Sequence, residues 1–305
     1  MRRFAVAIPI FAAFIVGASG PIATERLSIG DKEFSAMFKG SPIVARTTTR
    51  LGGAIYSVTW NGREFINSSD HGRELQSASS FDGYGEAYNP PEAGASRDSR
   101  HSTSVVLSLS VEGNVLEGET QMAFWEGGLS SHVLKRKITI GYAGIPNVIQ
   151  HLVTFAVPEA HQTATFEALT GYMPPEFSKF YAYFPVRKLL KELPEVYVEQ
   201  RQPVILSTAD GRFAMGTYSP HPAVLRGGAY GRWRFPREQV VKWNCVYRRK
   251  DIVPGDYTTE CYSIIGTLAD VTEAMSRLHR HFNPLKKPAP QVACGGPSVC
   301  PRDGG

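Results

Sequence analysis

Short runs of alternating apolar and polar residues, each closed by Gly, Asn or Pro, recur along most of the chain. This pattern limits the fold more than any other feature. A period of two puts one strand face in a core and the other in solvent. Residues 51–60 read as a strand, Asn61-Gly62 as a turn and residues 63–66 as the returning strand. An Asn-Gly pair tolerates the positive φ that a two-residue hairpin needs at both positions. Residues 105–111 and 115–125 form a second pair about Gly113-Asn114, and residues 132–142 and 147–157 a third. Further strands are expected at 196–207, 212–218, 240–248 and 257–268.

One helix is expected near the C-terminus. Asp270 caps it, Glu273 follows three residues later, and Val271, Ala274, Met275, Leu278 and Phe282 share a face. His279 and His281 fall at its end, where they read as structural or solvated. Residues 186–193, ended by Pro194, suggest a second short helix. No repeat of about 20–50 residues is visible, which speaks against a propeller or solenoid. The fold class is therefore all-β: one large antiparallel β-sandwich over residues 21–283 with one C-terminal helix. A Pro/Gly-rich tail over 284–305 follows.

The N-terminus reads as an address. Arg2 and Arg3 precede an apolar run from Phe4 to Gly17, and Ala18-Ser19-Gly20 offers small residues for cleavage. That order is a signal peptide over residues 1–20; a membrane anchor is the alternative, but the run falls short of the roughly 20 apolar residues a span needs. Losing Arg2 and Arg3 lowers the net charge from +5 to +3. No basic-aromatic stripe remains to suggest nucleic acid. The expected location is secreted or periplasmic.

Secretion sets the reading of the four cysteines. Cys245 and Cys261 sit in successive strand-like runs, and a disulfide across neighbouring strands is the expectation; two buried thiols are the alternative. Cys294 and Cys300 could close a loop in the tail. Neither pair has zinc-ligand spacing, and no cofactor or metal is read from the sequence.

Residues 70–101 carry the chemistry in this reading. Residues 77–103 show little periodicity, and so long a structureless stretch in a compact domain is usually functional. The segment mixes aromatics with planar polar groups, as a sugar site requires. Glu86 and Glu92 form the best carboxylate pair for glycoside hydrolysis, and His71 is a candidate base. Arg73 and Arg97 suit a carboxylate or phosphate; Gln76, Tyr84, Tyr88, Asn89 and Asp98 complete the expected binding set. A well-packed loop with internal ion pairs is the bland alternative. Tyr181, in an aromatic run over residues 172–184, is expected to line the same cleft, and Tyr230, Arg232 and Trp233 to add a wall. His132, Arg136, His151 and His161 are scattered on strands and read as structural. No nucleophile elbow, phosphate loop, dinucleotide fingerprint or His-Glu-x-x-His motif is present.

Residues 51–66, from Leu51-Gly52-Gly53-Ala54-Ile55 through Asn61-Gly62 to Ile66, resemble the opening of galactose-mutarotase-like proteins. There a Gly-Gly-x-Ile strand leads through a tight turn into a second strand. The Tyr-x-x-x-Gly-Thr-Leu run from Tyr262 to Leu268 suits a closing strand of that superfamily. The resemblance covers most of residues 25–282 and implies a β-supersandwich with a carbohydrate cleft on its concave face. Epimerases, glycoside hydrolase domains, polysaccharide lyase domains and non-catalytic domains are built on it. The epimerase set of two separated His and a late Glu has no residue-by-residue counterpart here, so the resemblance bears on fold and substrate class more than on reaction. The expected function is action on a poly- or oligosaccharide as a hydrolase or lyase; a glycan-binding or structural envelope protein is the alternative.

Overall fold

The computed structural model describes residues 30–69, 72–194, 198–220 and 230–284. The expected signal peptide, and the tail from residue 285 on with Cys294 and Cys300, lie outside the described residues.

Strands β1 (Lys32–Phe38), β2 (Ser41–Thr47), β3 (Ile55–Trp60) and β4 (Arg63–Glu64) form a four-stranded antiparallel sheet. Asn61 and Gly62 turn β3 into β4 at φ 49° and 74°, as their sequence implies. Gly52 and Gly53 also have positive φ, of 65° and 85°, so the run expected as a strand from residue 51 starts at Ile55 after a 3-10 turn.

The remaining strands are β5 (Gln76–Phe81), β6 (Val105–Glu112), β7 (Val115–Ala123), β8 (Leu129–Ile140), β9 (Val148–Val157), β10 (His161–Met173) and β11 (Lys179–Phe184). After them come β12 (Leu189–Leu193), β13 (Val198–Gln200), β14 (Val204–Ser207), β15 (Ala214–Tyr218), β16 (Tyr230–Phe235), β17 (Val240–Ile252) and β18 (Gly255–Gly266). They build two layers: a five-stranded sheet in the order β13-β16-β17-β10-β5 and a nine-stranded sheet in the order β12-β11-β14-β15-β18-β9-β8-β7-β6. Every pairing is antiparallel.

The core fills the space between the layers. Phe166 of β10 packs on Phe155 of β9 with ring centroids 4.8 Å apart. The four-stranded sheet closes onto the same core through Trp60 against Phe213 and Phe65 against Phe177. Cys245 of β17 and Cys261 of β18 are disulfide-bonded. These strands are consecutive in sequence but belong to opposite sheets, so the bond clamps the sandwich rather than joining neighbours.

Helix α1 (Leu268–Phe282) covers the other face of the nine-stranded sheet. Val271, Ala274, Met275 and Leu278 pack against Ile205, Tyr218, Tyr262 and Ile264. Its cap is Thr267, whose hydroxyl accepts from the Asp270 N–H while Asp270 Oδ2 accepts from the Thr267 N–H. Asp270 is thus the third residue of a capping box rather than the cap itself. The second expected helix is strand β12, held by pairing with β11 and by the Lys179–Glu192 ion pair at 2.8 Å. The single strand expected over 196–207 divides: β13 joins one sheet and β14 the other.

Candidate functional site

An open cleft of about 560 Å³ lies on the outer face of the five-stranded sheet. Its floor follows from register. Trp233 of β16 pairs with Lys242 of β17, and Lys242 with Tyr172 of β10, so the three side chains form one cross-strand row. Lys242 Nζ lies 5.1 Å from the Tyr172 ring centre and 5.0 Å from that of Trp233. It also lies 3.4 Å from Glu167 Oε2. Burial works against its charged form, but the Glu167 carboxylate and Tyr172 hydroxyl outweigh this and raise its pKa.

The walls come from loops. Trp125 is fixed by its backbone: its N–H donates to Asn89 O and its O accepts from Ser96 N–H, both at 2.8 Å. Its ring crosses Gly72 so closely that a Cβ there would stand 2.4 Å from the indole. Likewise Trp233 lies flat along its strand because Gly231 has no Cβ; one would stand 2.0 Å from the ring. Arg73 sits over the Tyr172 ring at 5.8 Å. Glu86 and Asp98 from the 72–98 segment, and Glu238 from the β16–β17 turn, add carboxylates.

The structure distributes the sequence-chosen residues unevenly. Arg73, Glu86 and Asp98 line the cleft. Asp98 also organises its own loop, accepting from Ala95 N–H and Thr103 N–H at 2.7 Å and from Thr103 Oγ1 at 2.6 Å. Glu92 is fully buried; it ion-pairs with Arg136 and accepts from Ser77 N–H. Burial pushes its carboxyl up while Arg136 pulls the other way. With no exposed surface it reaches no substrate in this arrangement, so the expected Glu86–Glu92 pair does not form. Gln76 is buried too, its carbonyl accepting from Ala93 N–H. Tyr84 and Arg97 are exposed, outside the residues that line the cleft. Asn89 meets the cleft only through its carbonyl on Trp125. Tyr181 faces the helix-covered side of the nine-stranded sheet, away from the cleft. His71 lies outside the described residues. The segment expected to be structureless contains strand β5 and a 3-10 turn at Gly85–Tyr88.

Tyr88 belongs to a second constellation. Its hydroxyl donates to Glu159 Oε1, and its ring packs against those of Phe124, His132 and His161. His132 and His161, expected to be separate structural residues, lie together with rings 6.3 Å apart. His161 Nδ1 is 2.8 Å from Asp82 Oδ2, and its Nε2 is 3.9 Å from Glu159 Oε1. His132 is 1% exposed, and neither of its ring nitrogens has a hydrogen-bond partner. Burial first, and His161 second, push its pKa down to about 4.

No protein-family model and no curated protein matches the sequence. Solved structures do match it in three dimensions. A galactose mutarotase related enzyme from Lactobacillus acidophilus is 10% identical, over 78% of this chain and 98% of that one, with a TM-score of 0.45. An α-galactosidase from Lactobacillus brevis is 8% identical over 81% of this chain, with a TM-score of 0.48. The GH36 α-galactosidase AgaB from Geobacillus stearothermophilus is 10% identical over 82% of this chain, with a TM-score of 0.45. The chain spans 41% and 42% of these two α-galactosidases.

Sequence reading missed Trp125, Glu167, Glu238 and Lys242, and gave Tyr172 and Trp233 only as members of possible walls. Glu167 lies in the middle of β10 and Lys242 near the start of β17, where a charged residue looks like an ordinary solvated face. The register pairs Lys242 with Tyr172 and Glu167 with Val246, and the signal of the two charges appears only where their side chains meet along the β10–β17 pair, at 3.4 Å.

Proposed function

We propose that this protein acts on carbohydrate in the cleft of the five-stranded sheet, as a hydrolase of a neutral oligo- or polysaccharide. The observation that carries this is the cross-strand row Trp233–Lys242–Tyr172 with Trp125 beside it and carboxylates around it. Flat aromatic faces cover the apolar side of a pyranose, and planar polar groups take its hydroxyls. Among the described residues, four carboxylates line the cleft against two cations, Arg73 and Lys242, and Lys242 already faces Glu167. That balance repels a uronate polymer, which favours hydrolysis over the lyase reading. Glu167, on a rigid strand, is assigned as base or nucleophile, and Glu86, on the loop, as the acid. The resemblance of residues 51–66 to mutarotase-like openings agrees with a sugar substrate. The disulfide suits the oxidising compartment that a signal peptide would supply. Among the described residues no helix is long and apolar enough to cross a membrane.

The test is a panel of neutral and uronic polysaccharides read by new reducing ends and by ultraviolet absorbance of unsaturated ends. Reducing ends from a neutral glycan are expected. Glu167→Gln and Glu86→Gln should each lower turnover by about a hundredfold or more. Trp125→Ala should weaken glycan binding by about tenfold. Unsaturated ends would replace the hydrolase assignment with a lyase. Glycan-dependent thermal stabilisation without any new ends would make the cleft a binding module.

A further inference from the structure

The second constellation gathers at the opening of β10, with His161, whereas Tyr172 of the cleft floor lies near the strand's close, roughly 35 Å away at the rise of an extended chain. Tyr88 and Phe124 of the constellation lie near the cleft residues Glu86 and Trp125 in sequence, but none of the three donor side chains lines the cleft. It joins three elements. His132 comes from β8 of the nine-stranded sheet, His161 from β10 of the five-stranded sheet, and Glu159 from the turn between β9 and β10. Each offers one donor atom, and these atoms all lie within 4.8 Å of one another.

The geometry points to a divalent transition-metal site of the zinc type, with His132, His161 Nε2 and Glu159 as its protein ligands. Four observations carry it. First, His132 is buried with both nitrogens unsatisfied, although buried polar atoms in a native interior nearly always find a partner. Second, His161 is oriented by Asp82, whose carboxylate takes the Nδ1 side and leaves Nε2 aimed at the other two donors. A carboxylate behind a histidine is the usual device for fixing a metal-binding tautomer. Third, the Tyr88 hydroxyl holds the Glu159 carboxylate in place. Fourth, the donor set of two imidazoles and one carboxylate suits zinc and its neighbours rather than calcium or magnesium, which prefer all-oxygen shells. Tetrahedral ligands at roughly 2.0–2.1 Å stand about 3.3 Å apart, so small side-chain rotations close the remaining gap. Three ligands leave one position for water or a small molecule. The rings of Phe81, Phe124 and Tyr88 wall the site, and Glu159, with its side chain 43% exposed, is its open side.

The experiment uses the full chain, purified without a histidine tag and stripped with a chelator. Titration with Co²⁺ should give the visible absorption of a four- or five-coordinate ion at one equivalent per chain. Zn²⁺ should displace it and raise the melting temperature; Ca²⁺ and Mg²⁺ should do neither. Glu159→Gln and His132→Gln should each weaken Zn²⁺ binding by about tenfold or more, and Asp82→Asn by about tenfold to a hundredfold. Glu159 is half-exposed, so its variant keeps the test valid even if His132→Gln fails to fold. Absence of stoichiometric Zn²⁺ or Co²⁺ uptake would overturn the site. So would uptake unchanged in Glu159→Gln, which would assign the metal to other histidines. Glycan turnover plays no part in these readouts, so the site stands or falls independently of the cleft.

Discussion

Glu86 and Glu92 are six residues apart in the same segment, and sequence gives no reason to treat them differently. The structure leaves one exposed and seals the other against Arg136. Residue types with the right chemistry were legible; which of them face solvent was not, because that depends on strand β5 folding the segment back beneath Pro90 and Pro91. The histidines fail in the opposite sense. Each reads alone as a satisfied strand residue, and this holds for His151, and for His161 on its Nδ1 side through Asp82, but not for His132, whose two nitrogens have no partner. His151 Nε2 lies 2.9 Å from Ser263 Oγ in a fully buried position, with Arg136, itself paired to Glu92, as its charged neighbour. Burial first and Arg136 second push its pKa from 6.5 down to about 3. In the unfolded chain it titrates near the ordinary value, so below about pH 6.5 the unfolded state takes a proton that the native state refuses. Its contribution is complete above that pH and is lost as pH falls toward the native value, at up to about 1.4 kcal/mol per unit. Thermal melts between about pH 7 and pH 4 should show a shallower loss in His151→Gln than in the parent. Parallel slopes would remove His151 from the account.

At the scale of elements, hairpins with short polar turns were legible and strands with irregular pairing were not. β10 runs through the middle of the five-stranded sheet, yet its period of two breaks at a bulge between Glu167 and Leu169, where Ala168 is the additional residue. Two apolar residues in succession there disguise the strand, and the same bulge sets Glu167 in the cleft. β12 is disguised by composition: Leu-Leu-Lys-Glu-Leu favours a helix, but edge pairing with β11 overrides that local preference. Helix α1 was legible because its apolar face and capping signal agree; only the cap was misplaced, by three residues. Thr267→Ala removes the hydroxyl that accepts from Asp270 N–H and should cost about 1 kcal/mol, whereas Thr267→Ser should cost little. Urea unfolding midpoints at unchanged slope measure the difference. Equal midpoints for alanine and serine would mean the capping box contributes nothing.

For the whole molecule, the all-β class follows from the alternation, but the sheet order does not. The five-stranded sheet takes its members from positions as distant as Gln76 and Ile252, and the chain crosses between layers at Pro203 within what reads as a single strand. Such long-range pairings rest on the fit of whole faces, which no local pattern encodes. Among the described residues, the Cys245–Cys261 bond is the one covalent side-chain cross-link between the layers. It links β17, which carries Lys242 on the cleft floor, to β18, which packs beneath helix α1. Its sequence separation of 16 closes a loop whose entropy in the unfolded chain corresponds to about 3 kcal/mol. Both cysteines are fully buried, so a thiol reductant should leave the native protein oxidised and attack only after unfolding. The paired variant Cys245→Ala with Cys261→Ala should therefore lose about 3 kcal/mol in guanidinium unfolding. The parent protein should drop to that level only when reductant and denaturant are combined. Reduction of the folded protein by thiol alone, at full native signal, would show instead that the two sheets part readily at this point. The cleft floor would then rest on a face free to move against the core.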